Sequence, residues 1–186
     1  MSKTKSSLFS VRVVCQLALL VALEIVFNRL LSINTEALKI GFSFVPIVLC
    51  AVLFGPVHAA IVYAVADTLG ALMFPLGAYM PGITLSCALM GLDFGLFLHG
   101  FVAASEKFEL SKFKTWLRIV CPIVINCVAF GLLANSFWLS LVYTKRSFAY
   151  FFTSRIIEYS VLIPVQIILV PIIITLARRL RASRIA

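Results

Sequence analysis

Apolar residues come in six long runs along this chain, and most polar residues gather between the runs. The pattern predicts helices at about 11–31, 38–54, 57–75, 82–101, 118–143 and 156–177. About 20 helical residues cross a bilayer core of roughly 30 Å. A spanning segment must satisfy its own backbone hydrogen bonds, which leaves helices or a closed barrel. Barrel strands would alternate over segments of about ten residues. These runs do not alternate, so the expectation is an all-α fold. It is an integral membrane bundle of six transmembrane helices, forming a single domain over 1–186.

Prolines and glycines punctuate the pattern. Gly55-Pro56 is a strong breaker pair between the second and third runs. Pro46 is expected to kink the short second helix. Pro122 is expected in the first turn of the fifth, where proline is tolerated. Pro164 and Pro171 predict a bent sixth helix. The first run is too long for a cleavable signal peptide, and no small-x-small site follows it.

Composition supports a lipid-embedded chain. Hydrophobic residues make up 62% and charged residues 12%, against about 45–50% and 25% in soluble domains. Lys3, Lys5, Arg12, Lys107, Lys112, Lys114, Arg118, Arg178, Arg179, Arg181 and Arg184 fall on one predicted side. Arg29, Lys39, Lys145, Arg146 and Arg155 fall on the other. Cytoplasmic loops collect Lys and Arg, so a cell-membrane protein with both termini and the 102–117 loop inside is expected. The net charge of +9 then reflects topology and attraction to anionic lipid, not nucleic-acid binding.

Several chemistries lack their residues. Cys15, Cys50, Cys87, Cys121 and Cys127 all sit in apolar runs without ligand spacing, and read as small buried hydrophobes. His58 and His99, both expected on the inner side, cannot make a zinc site alone. There is no G-x-x-x-x-G-K-[ST] loop and no G-x-S-x-G elbow. Neither a metal, a cofactor nor an enzyme activity is expected.

The embedded polar groups carry more information. Glu24, Asp67, Asp93 and Glu158 lie within or at the edge of spans, where ionisable residues are expensive. For Arg29 and Glu158, close to an interface, the choice is between snorkelling and facing a cavity or partner. For Asp67 and Asp93 the choice is between a hydrogen bond joining helices and a functional contact. Thirteen aromatics, Phe27, Phe42, Phe44, Phe74, Tyr79, Phe137, Trp138, Tyr143, Phe148, Tyr150, Phe151, Phe152 and Tyr159, fall near the predicted outer ends. With Asn34, Arg146 and Arg155 at the same end, they would suit a pocket for a flat heteroaromatic ligand bearing carboxylates. Ala18 and Ala22 have the small-x-x-x-small spacing that lets another helix approach closely. Helix three adds Ala60, Ala64, Gly70 and Ala71.

These phrases also carry a resemblance. Leu38-Lys39-Ile40-Gly41-Phe42-Ser43-Phe44-Val45-Pro46-Ile47-Val48-Leu49, Leu53-Phe54-Gly55-Pro56-Val57, Ala66-Asp67, Gly70-Ala71, Phe74-Pro75, Gly77-Ala78-Tyr79 and Gly91-Leu92 resemble the folate-specific substrate-binding (S) component of energy-coupling factor (ECF) transporters. The likeness covers most of 12–100; beyond it the match is mainly in layout. It implies high-affinity folate binding from the extracellular side, with no motor in the chain itself. It also implies a transmembrane coupling subunit and two ATPase subunits as partners. Ala18 and Ala22 match the family's helix-one motif that meets the coupling subunit. For the ligand, Arg29 and Arg146 are assigned to polar or carboxylate contacts and Asn135 to the pterin edge. Phe42, Tyr79 and Trp138 would wall or stack the ring, with Lys39 and Arg155 in reserve. The alternatives are an S component for a different vitamin and a small membrane-embedded enzyme acting on lipid or peptide.

One conflict arises within helix one. Ala18, Ala22, Ile25 and Arg29 share a stripe on an ideal helix. One straight helix cannot aim that stripe at both a partner and a ligand unless it bends or the outer loops wrap over it.

Overall fold

Among the described residues, five helices are long and apolar enough to cross a membrane, and a shorter apolar one accompanies them. A computed structural model describes residues 11–34, 39–75, 79–103, 112–142 and 148–182. The elements are α1 (Val11–Ile25) running into a π turn, π1 (Val26–Leu30), then β1 (Ile33–Asn34), β2 (Lys39–Ile40), α2 (Phe44–Phe54), α3 (Pro56–Met73) and α4 (Pro81–Leu98). They continue with α5 (Gly100–Ala103), α6 (Phe113–Ile125), a second π segment π2 (Asn126–Ala134), α7 (Asn135–Val142) and α8 (Phe148–Ala182). The fold is an all-helical membrane bundle apart from one antiparallel two-residue pairing, Ile33 with Ile40 and Asn34 with Lys39.

That pairing corrects the expected second span. Lys39 and Ile40 are extended, so the helix starts at Phe44 instead of 38. Eleven residues reach only about 16 Å at 1.5 Å per residue, roughly half of a bilayer core. Pro46 falls in the first turn, whose N–H groups have no helical partner, so no kink is needed there. The segment is apolar on every side, as befits a helix enclosed by others. Ile47, Val48, Cys50, Ala51 and Val52 are fully buried, and α2 packs against α1, α3, α4 and α8. The longer helices turn Leu19, Leu85 and Ile168 outward, which lipid accommodates.

Two further boundaries shift. The fifth span begins at Phe113, so Pro122 lies inside the helix and not in its first turn. Proline cannot donate to the carbonyl four residues back and crowds it. Downstream the Asn126 N–H is shared between the Pro122 and Ile123 carbonyls, and the nine-residue π2 follows. The sixth span starts at Phe148, well before 156, and continues for 35 residues through Pro164 and Pro171. Of the cysteines, Cys50, Cys87 and Cys127 are buried, whereas Cys15 is exposed.

The α3–α4 pair is the most extensive contact in the bundle. Gly91 and Gly95 make it possible. A side chain at Gly91 would meet the Ala59 carbonyl at 2.6 Å, and one at Gly95 would collide with Pro56. The two glycines have the small-x-x-x-small spacing that lets helices approach closely. The α2–α3 turn is held nearby. Gly55 adopts φ 92°, which favours glycine. His99 Nδ1 lies 3.2 Å from the Val52 carbonyl and His58 Nδ1 lies 2.8 Å from that of Phe54. Both histidines thus hold backbone at one end of the bundle.

Candidate functional site

The opposite end holds a cluster of buried polar groups, while Asp93 of α4 and Thr115 of α6 are buried elsewhere. On α1 the inward face is Leu17, Leu20 and Glu24, continued by Asn28 in π1. Asn28 Nδ2 donates to Glu24 Oε1 at 2.7 Å, and the Asn28 carbonyl accepts from the Ser32 hydroxyl. Ala18 and Ala22 are exposed on a different face. The π turn separates the two faces. An extra residue in one turn sets back everything after it by about 100° relative to a continuous α-helix. Arg29 therefore leaves the alanine stripe and lies against α3. A Cβ added at Gly70 would stand 3.2 Å from Arg29 Nε. That nitrogen is buried and makes no hydrogen bond. Arg29 Nε is enclosed against α3 while Ala18 and Ala22 are exposed, so the two positions have different surroundings.

Asp67 sits one turn below Gly70 on the same face of α3 and is 7% exposed. Its Oδ2 accepts from the Thr84 hydroxyl of α4 at 2.7 Å, and the Thr84 and Tyr79 hydroxyls are 3.2 Å apart. Tyr63, one turn further in, has Glu24, Asp67, Cys87 and Tyr159 as its electrostatic neighbours. Four helices thus bring polar groups to one interior.

Aromatic side chains stand around this interior. Trp138 of α7 packs flat on Gly82 at the start of α4, where any side chain would overlap its ring. Phe137 meets Trp138 edge-on at 5.3 Å. Tyr79 and Phe42 are each 45% exposed. Phe42 has Phe44 as its ring neighbour, with centroids 6.4 Å apart. The far wall is α8. Arg155 Nη1 lies 3.5 Å from Glu158 Oε2 and 3.4 Å from the Tyr159 hydroxyl. Glu158 is 3% exposed, so it is paired inside and not snorkelling. Tyr159 packs directly on Gly131 of π2.

Of the expected ligand residues, Arg29, Tyr79, Asn135 and Trp138 come to this end. Asn135 is buried, with Oδ1 lacking a hydrogen bond, as is Ser136 Oγ beside it. Phe42 stands at the start of α2, and no ring contact among the described residues joins it to Tyr79 or Trp138. Arg146 and the side chain of Lys39 lie outside the described residues. Asn28, Thr84 and Ser136 were not singled out from the sequence. Their polarity inside apolar runs was the available signal. Asp93 is also buried, and its Oδ2 accepts no hydrogen bond; nothing in the fold explains it.

A multi-pass helical membrane protein with unsatisfied buried polar atoms and aromatic side chains gathered at one end has the makings of a small-molecule binding site. The described residues contain no group of three metal-ligating side chains. These features define the class: a membrane-embedded solute-binding protein.

The comparisons with known proteins agree. A family model described as the ECF-type riboflavin transporter, S component, matches residues 8–178. The chain is similar to the folate transporter FolT of Clostridium novyi, at 33% identity over 86% of both chains. It is also similar to the folate transporter FolT of Leuconostoc mesenteroides, at 30% identity over 81% of this chain and 78% of that one. The crystal structure of FolT bound with folic acid aligns at a TM-score of 0.73 and 32% identity, covering 87% of this chain and 91% of that one. This chain belongs to the S-component family of ECF-type transporters.

Proposed function

We propose that this chain captures folate at the outer face of the cell membrane and delivers it as the S component of an ATP-driven importer. The observation that carries the reading is Arg29. A buried guanidinium nitrogen without a hydrogen bond is costly unless an anion or carbonyl completes it. It lies at the same end of the bundle as Tyr79 and Trp138, rings of the kind a flat ligand would stack on. The FolT relatives at 33% and 30% identity support folate as the ring. Asn135 would meet the pterin edge. Tyr79, Trp138 and Phe42 would wall it, and Arg146 with Arg155 or Lys39 would take the glutamyl carboxylates.

In this reading the chain performs no catalysis. A transmembrane coupling subunit docks on the exposed Ala18 and Ala22 face, and two ATPase subunits supply the energy. Both termini face the cytoplasm, where Arg12, Lys112, Lys114, Arg118 and Arg178 meet anionic lipid. A riboflavin S component is the second reading, favoured by the description of the matching family model. Reconstitution tests the role. Vesicles holding the chain alone should bind labelled folate but accumulate none. Adding the coupling and ATPase subunits with ATP should start uptake. Accumulation by the chain alone would refute a purely binding role.

A further inference from the structure

Asp67 has one oxygen anchored and the other unclaimed. The bond it makes among the described residues is to Oδ2, from Thr84 at 2.7 Å. A threonine hydroxyl has a single hydrogen. With that hydrogen on Asp67, the Tyr79 hydroxyl 3.2 Å away must be the donor to Thr84. The result is a directed relay from Tyr79 at the exposed end, through Thr84, into the carboxylate. It fixes the carboxyl plane and leaves Oδ1 for another donor. An ionised carboxylate offers about four acceptor sites, and one neutral partner does not offset burial at 7% exposure.

The nearest opposite charge on this face is withheld. Arg29 lies at Gly70, one turn toward the open end, and among the described residues no ion pair joins it to Asp67. An acceptor and a donor therefore stand one turn apart along one face of α3. Glu24 is fully enclosed and already holds Asn28, whereas Asp67 keeps 7% exposure.

We propose that Asp67 is the specificity-determining residue of the site. It reads paired N–H donors on the ligand's heterocycle, and Thr84 and Tyr79 act as its positioning residues. The proposal rests on the folate reading. The pterin edge of folate presents an exocyclic amine, a ring N–H and a carbonyl in sequence: donor, donor, acceptor. The two donors suit a carboxylate, and the carbonyl then falls toward Arg29. The pyrimidine edge of a flavin runs acceptor, donor, acceptor, and would set a carbonyl oxygen against Asp67. The same carboxylate thus accepts one ring and rejects the other.

The test is a two-by-two titration in detergent. Folate and its 2-desamino-2-methyl analogue are measured against the wild-type chain and Asp67→Asn. A hydrogen bond to a charged group is typically reflected in a change of about 10–100-fold. The wild type should lose about that much affinity when the amine is removed. Asp67→Asn should bind folate weaker by a similar factor and no longer distinguish the two ligands. Thr84→Val should lose part of the preference and Thr84→Ser should keep it. The proposal is overturned if the wild type binds both ligands alike, a result that needs no variant to fold. It is also overturned if Asp67→Asn weakens both equally and still prefers the amine, the signature of a packing role. A wild-type chain that binds no folate removes the folate reading and this proposal together, a pattern distinct from either.

Discussion

Two side chains seven residues apart on the first span, Ala22 of α1 and Arg29 of π1, should have opposite phenotypes. Ala22 is exposed, and Arg29 is turned inward with Nε buried. Ala22→Leu adds bulk where a neighbouring helix would approach. It should abolish reconstituted uptake while folate affinity stays within about two-fold, since its side chain faces away from the chamber. Arg29→Ala should do the reverse, weakening folate binding by about 10–100-fold while pull-down of the coupling subunit is retained. Loss of binding in both variants would contradict the separation of faces. Arg29, Tyr79, Asn135 and Trp138 could be picked from the sequence because polar or aromatic residues at span ends are conspicuous there. Thr84 could not. Its role depends on Asp67, 17 positions away, and only the packing of α3 on α4 brings them together. Arg29 stands at the expected end of its span, but an ideal 3.6-residue period aims it at the alanine face.

Helices show the same division between what pattern reveals and what it hides. Runs of apolar residues mark spans because lipid forbids unpaired backbone, and the first, third and fourth spans fall within two or three residues of their expected bounds. Hydropathy does not encode an extended pairing such as Ile33–Asn34 with Lys39–Ile40, so α2 was drawn too long. Polar residues ahead of 156 hid the first two turns of α8. The π segments leave no trace in hydropathy, yet π1 sets the direction of Arg29. Deleting Phe27 removes the residue that the π turn accommodates, so the turn should return to α geometry with Arg29 still on the inward face. Folate binding should then be largely retained, and the circular-dichroism helix signal kept. A loss of binding as deep as in Arg29→Ala would mean that π1 does not aim the arginine.

At the scale of the molecule, the two ends of the bundle differ in kind. One is closed by the Gly55-Pro56 turn, His58 and His99, with α4 glycines pressed onto α3. The other carries most of the unsatisfied buried polar atoms, those of Glu24, Asn28, Arg29, Asn135, Ser136 and Arg155, with Phe137 and Trp138 nearby. A receptor that binds at one face and hands over to a partner needs such asymmetry. The sequence disclosed the asymmetry through the uneven distribution of cations and aromatics, but not the polar interior to which four helices contribute. Ligand identity is where the relatives and the family description diverge, folate against riboflavin, and it is the point on which the account stands. An equilibrium titration of the purified chain with folate, repeated in excess riboflavin, measures it directly. The account predicts saturable one-to-one folate binding that riboflavin does not displace. Saturable riboflavin binding with no saturable response to folate would contradict it.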